Sequence, residues 1–139
     1  LFAWTGSDYY ARAMAGDDYE REEFQHEGTR ALRERALEFP GVAEGDSCVK
    51  RSFKARTKGF LYLGESDDTY NAMLKVGDSL DDVRRFCAEQ PDTRSVGETN
   101  WVTLHFAHDE APPAALNDWI EESFRLLAPK KLVSELEAS

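Results

Sequence analysis

The sequence predicts an α+β fold, a two-layer domain in which a small antiparallel sheet carries helices packed on one side. Helical periodicity and strand alternation fall in separate blocks, in the order helix, hairpin-like strands, helix, strand pair, helices. The connections between blocks are short, and no β-α-β alternation of the kind that builds a parallel sheet occurs. At 139 residues and 15.8 kDa the chain is sized for one domain with one core, without disulfide or metal staples.

Residues 1 to 19 carry Phe2, Trp4, Tyr9 and Tyr10 with no sustained period, and read as an amino-terminal tail or extension preceding a domain over 20 to 139. The chain opens with leucine, and Met14 before Ala-Gly-Asp-Asp is a candidate native start, with residues 1 to 13 as upstream sequence. From about Glu20 to Phe39 the apolar positions Phe24, Ala31, Leu32, Ala36 and Phe39 recur at helical spacing, and Pro40-Gly41 stops the helix. Val49, Phe53 and Ala55 alternate with Lys50, Ser52, Lys54 and Arg56, a strand with one core face and one basic face, in which Arg51 interrupts the apolar row.

Lys58-Gly59 reads as a turn before the β-prone run Phe60-Leu61-Tyr62-Leu63, which makes a hairpin. After the polar turn at 65 to 68, Tyr70, Ala72 and Leu74 alternate with Asn71, Met73 and Lys75 as a third strand. Ser79 is placed to cap a helix whose buried stripe is Leu80, Val83, Phe86 and Cys87, with Asp82 at the capping-box position. Trp101 to Phe106 is the clearest strand: Val102, Leu104 and Phe106 share one face, Trp101, Thr103 and His105 the other. Beyond Pro112-Pro113, Leu116, Trp119, Ile120, Phe124 and Leu127 define a long amphipathic helix, and Pro129 starts a short one carrying Leu132, Val133 and Leu136.

Several of these strings, taken together and in order, resemble the MmcQ/YjbR family. They are Leu37-Glu38-Phe39-Pro40-Gly41-Val42 with Glu44-Gly45, Ser52-Phe53-Lys54, and Lys58-Gly59-Phe60-Leu61-Tyr62-Leu63. Two more follow: Gly97-Glu98-Thr99-Asn100-Trp101-Val102-Thr103-Leu104, and Trp119-Ile120-Glu121-Glu122-Ser123-Phe124 through Ala128-Pro129-Lys130-Lys131-Leu132. The resemblance runs from about 21 to 136 and implies a YjbR-like α+β domain, in bacterial proteins mostly without assigned activity. It also brings a "DNA-binding" label, and no accepted catalytic residues.

The formal charge is -10, yet its sign reverses along the chain. Residues 1 to 47 hold 11 acids and 5 bases, and residues 59 to 139 hold 16 acids and 7 bases. Between them Lys50, Arg51, Lys54, Arg56 and Lys58 stand without an acid. A body of this charge repels nucleic acid and anionic lipid, so binding of either must be local, weak and salt-sensitive. The strip is the candidate phosphate contact, with Tyr62 or Trp101 as a stacking surface for a base. The bland reading is a solvated sheet face that positive charge protects against aggregation. A second candidate site is an aromatic face of Tyr62, Trp101 and His105, which would dock an unknown protein or small molecule.

Other constellations carry less. His105, His108, Asp109 and Glu110 match no zinc or iron spacing, so no metal is expected and the histidines read as surface groups. Cys48 and Cys87 lack an activating neighbour and read as structural, reduced thiols. Asp17, Asp18, Glu20, Glu22, Glu23 and Glu27 fit the amino end of the first helix. No nucleophile elbow, phosphate loop, metalloprotease or dinucleotide motif is present, so neither catalysis nor a cofactor is expected. With no signal-like start or membrane-length apolar run, the expected location is the cytoplasm.

Overall fold

A computed structural model describes residues 21–47 and 50–139. The expected tail, Met14, Cys48 and Val49 lie outside the described residues. Strands β1 (Val42–Ser47), β2 (Lys50–Ala55), β3 (Lys58–Glu65), β4 (Thr69–Lys75), β5 (Arg94–Val96) and β6 (Trp101–Ala107) form one antiparallel sheet in the order β1-β2-β3-β4-β6-β5. Helices α1 (Glu27–Leu37), α2 (Leu80–Ala88), α3 (Ala115–Leu127) and α4 (Lys130–Ala138) complete the α+β fold. Among the described residues no helix is long and apolar enough to cross a membrane.

The core lies between the sheet and the helices. Phe53, Leu61, Leu74 and Val102 pair in a row across four strands, and Leu63, Ala72 and Leu104 in the next, all fully buried. From the helices Leu32, Ala36, Val83, Leu116, Ile120 and Phe124 close over them, as the amphipathic stripes require. Phe39, Phe60 and Phe124 stack and meet edge-on at centroid distances of 4.8 to 5.9 Å.

Local chemistry moves several boundaries. α1 begins at Glu27, seven residues later than the apolar period suggests, because Phe24 belongs to an extended lead whose ring lies 4.1 Å under the Arg51 guanidinium. Glu22 and Glu23 therefore precede the helix, and only Glu27 sits in its first turn. Ser79 makes no side-chain cap to α2: its hydroxyl donates to Glu122 Oε1 of α3 at 2.8 Å, and Asp82 pairs with Arg85. The β2–β3 turn is Arg56-Thr57, and Lys58 already belongs to β3. Arg56 takes a left-handed φ of 66° there, a conformation an L side chain rarely adopts. Gly41 (φ 71°) follows α1 with Leu132 of α4 packed where a Cβ would stand.

Opposite the β2 register shift between Phe53 and Lys54, β3 carries one extra residue, Phe60. Such a bulge turns two consecutive side chains to one side. Phe60 and Leu61 both enter the core, and Gly59 and Tyr62 both reach the other face.

Candidate functional site

With the helices on one side, the opposite side of the sheet is the face on which functional groups can be presented. Paired residues share a face, so the register sorts every strand residue. One row runs Gly45, Ser52, Tyr62, Met73, Thr103, Ser95. Flanking it, about 7 Å away on either side, are Lys54 with Gly59 and Lys75 with Trp101, and Ser47 with Lys50 and Gly64 with Asn71 and His105.

Charge is partitioned between the two faces. The acidic residues that fall in described strands, Glu44, Asp46 and Glu65, all stand on the helix side, paired opposite Phe53, Arg51 and Tyr70. Strand arginines go the same way. Arg51 donates to Glu44 at 3.2 Å and to the Glu22 carbonyl at 2.8 Å. Arg94, 4% exposed, donates to Glu110 at 2.7 Å and lies 4.3 Å from the Phe86 ring centroid. Burial would raise the Glu44 carboxyl, but the Arg33 hydrogen bonds at 2.9 Å and the charges of Arg33, Arg51 and Arg21 hold it below the usual range. The open face keeps Lys50, Lys54 and Lys75 and no carboxylate from any described strand.

The predicted basic strip is therefore divided. Lys50 and Lys54 stand together on the open face, as the alternation requires, while Arg56 leaves it for the turn and Lys58 is exposed at the hairpin end. Arg51, which interrupts the apolar row in sequence, is neutralised on the helix side and cannot serve a ligand on the open face. Lys50 reaches across Gly64 and donates to Asn71 Oδ1, and burial pushes its ammonium below the ordinary lysine value.

Of the predicted aromatic residues, Tyr62 and Trp101 come together as a pair, while His105 stands four residues along β6 from Trp101. The Tyr62 and Trp101 centroids are 6.0 Å apart, both rings half-buried, and His105 lies on the same face opposite Asn71. The outer end of the Tyr62 ring lies over Gly59, where any Cβ would overlap it. Sequence reasoning missed Lys75 and Asn71, although both occupy the polar half of an alternation that was itself legible. It also missed Ser52 as a functional group: its hydroxyl lies on this face, 1% exposed, with no hydrogen-bond partner among the described residues.

A second cluster lies at the amino end of α1. His26 Nδ1 meets His108 Nδ1 at 2.7 Å, and His26 Nε2 donates to the Ser66 carbonyl at 2.6 Å. His108 is exposed, as expected of a surface group, and in addition its ring is hydrogen-bonded to a histidine that is 1% exposed. A cavity of about 260 Å³ beside it is lined by Glu27, His108, Asp109 and Glu110 among others. No three His, Cys, Asp or Glu side chains among the described residues are grouped to hold a metal. Cys87 is buried, which pushes its thiol up against the opposing charge of Arg94, as befits an inert structural thiol.

No curated protein matches the chain. A family model does: the YjbR model covers residues 37–126, from the last residue of α1 to the penultimate residue of α3, and the chain belongs to the YjbR family.

Proposed function

We propose that the protein is a non-enzymatic nucleic-acid-binding module whose contact surface is the open face of the sheet. The observation that carries this reading is the partition of charge. A chain of net charge -10 keeps its strand carboxylates on the helix side and presents Lys50, Lys54 and Lys75 beside two aromatic rings. Charged groups that served solubility alone would have no reason to leave one face with lysines and no strand carboxylate. Cations that neutralise phosphates release condensed counterions, which gives a local patch affinity that the body as a whole opposes.

The runner-up is docking of a protein or small molecule on the same face through Tyr62, Trp101 and His105, favoured by the half-buried ring pair. Fluorescence anisotropy of a labelled oligonucleotide separates the two. Saturable binding that Lys54→Glu with Lys75→Glu abolishes is expected. No binding at 0.05 to 0.15 M salt, with the fold intact, would move the assignment to the runner-up.

A further inference from the structure

The charged groups on the open face share one chemical sense: they donate. Three ammonium groups are donors only. Because Lys50 can only donate, the Asn71 atom it meets is the amide oxygen, and the amide NH2 points the other way. Ser52 adds a hydroxyl buried between Gly45 and Tyr62 with no partner among the described residues. Buried polar groups are seldom left unpaired, so this donor calls for an acceptor that the described chain does not supply. The fitting ligand is anionic, rich in acceptors, and bears a flat ring for Tyr62 and Trp101.

Nucleic acid meets all three conditions, but only in one form. In a duplex the ring faces are already stacked on one another, and base edges are reached by an element that protrudes into a groove. The open face is a pleated sheet whose elevations are side chains, and a ring can lie on Tyr62–Trp101 only if the base is unpaired. Resting on the functional reading above, we propose that this site takes single-stranded nucleic acid. An unpaired base stacks at Tyr62–Trp101 with Ser52 beside it in the central row, and Asn71, on the opposite flank, donates to the neighbouring nucleotide. The backbone lies along Lys54 and Lys75 on one flank and reaches Lys50 on the other, whose ammonium keeps its bond to Asn71 and has donors to spare.

The test titrates three labelled probes of equal length and related sequence: single-stranded DNA, single-stranded RNA and duplex DNA. One or both single strands are expected to bind at least about tenfold more tightly than the duplex. Trp101→Ala should weaken the single strands roughly tenfold and leave the duplex unchanged, while Trp101→Phe keeps most of the affinity. Ser52→Ala should melt no lower than the parent, since the free protein loses no hydrogen bond, yet bind single strands several-fold more weakly. Equal affinity for single strand and duplex, with Trp101→Ala silent, would overturn this inference and leave the lysine face as a nucleic-acid surface. Failure of all three probes to bind would overturn the functional reading itself.

Discussion

Ser123 stands where the ladder between β3 and β4 fails. The last regular pair at that end is Leu61 with Leu74, and the pairing stops short of Lys75 and the bulged Phe60. Their backbone groups no longer meet. The fully buried hydroxyl of Ser123, from α3, accepts from the Lys75 amide at 3.1 Å and donates to the Phe60 carbonyl at 2.6 Å. One side chain thus repairs both halves of a missing strand bond and fixes α3 over the bulge that turns Tyr62 outward. Ser123→Ala leaves a buried donor and a buried acceptor unsatisfied, and should cost about 2 to 6 kcal/mol of stability, each orphan costing about 1 to 3 kcal/mol. A urea titration measures it. A loss below about 0.5 kcal/mol would mean that water or backbone closure replaces the hydroxyl.

At the scale of elements, α1 is capped from another strand. The Glu65 carboxylate, at the end of β3, accepts from the Gln25 amide at 3.0 Å and the His26 amide at 2.8 Å, while His26 at the N-cap position makes no side-chain cap of its own. A negative group at a helix amino end also meets the positive end of the backbone dipole. Glu65→Gln removes the charge and one acceptor, so a loss of about 1 kcal/mol is expected, with faster amide exchange confined to the first turns of α1. Exchange that rises evenly over the whole domain would refute this local role.

The same arrangement explains which elements could be read from sequence. α3, β4 and β6 were legible because their apolar periods are long and face one large core. β1 was not, because Ala43, Gly45 and Ser47 carry no β signal and its inward Glu44 is explained only by Arg33 and Arg51, distant in sequence. β5 was legible only as half of a strand pair, three residues being too short to show a period. The start of α1 was misplaced for the same reason: Glu65 is 38 residues away from Glu27, and nothing in the local pattern announces it.

Seen as a whole molecule, the candidate site was half legible. Alternation placed Lys50, Lys54, Tyr62, Trp101 and His105 on outward positions. It could not show that the strands bearing them stack in the order that makes one face, that Arg51 is neutralised on the other, or that Lys75 joins from β4. That partition has a consequence for salt. The three lysines would touch phosphate directly, and for a single strand each neutralised phosphate contributes a slope of about -0.7 in log affinity against log salt, so about -2 in all. The carboxylates of the strands and of the helices lie behind the sheet, about one layer or 10 Å away. At 0.1 M salt the screening length is also about 10 Å, and their repulsion is weakened before it reaches the ligand; at 0.01 M it is about 30 Å, and the entire negative body is felt. Affinity should therefore pass through a maximum, rising between 0.01 M and somewhat below 0.1 M and falling beyond it with a slope approaching -2. Lys54→Gln with Lys75→Gln should bring that falling limb to about -0.7 while the rising limb persists, since the body charge is almost unchanged. Anisotropy titrations across this range decide it: a steady fall from the lowest salt would show that the acids do not oppose the ligand, and a steady rise to high salt would show that no lysine touches phosphate.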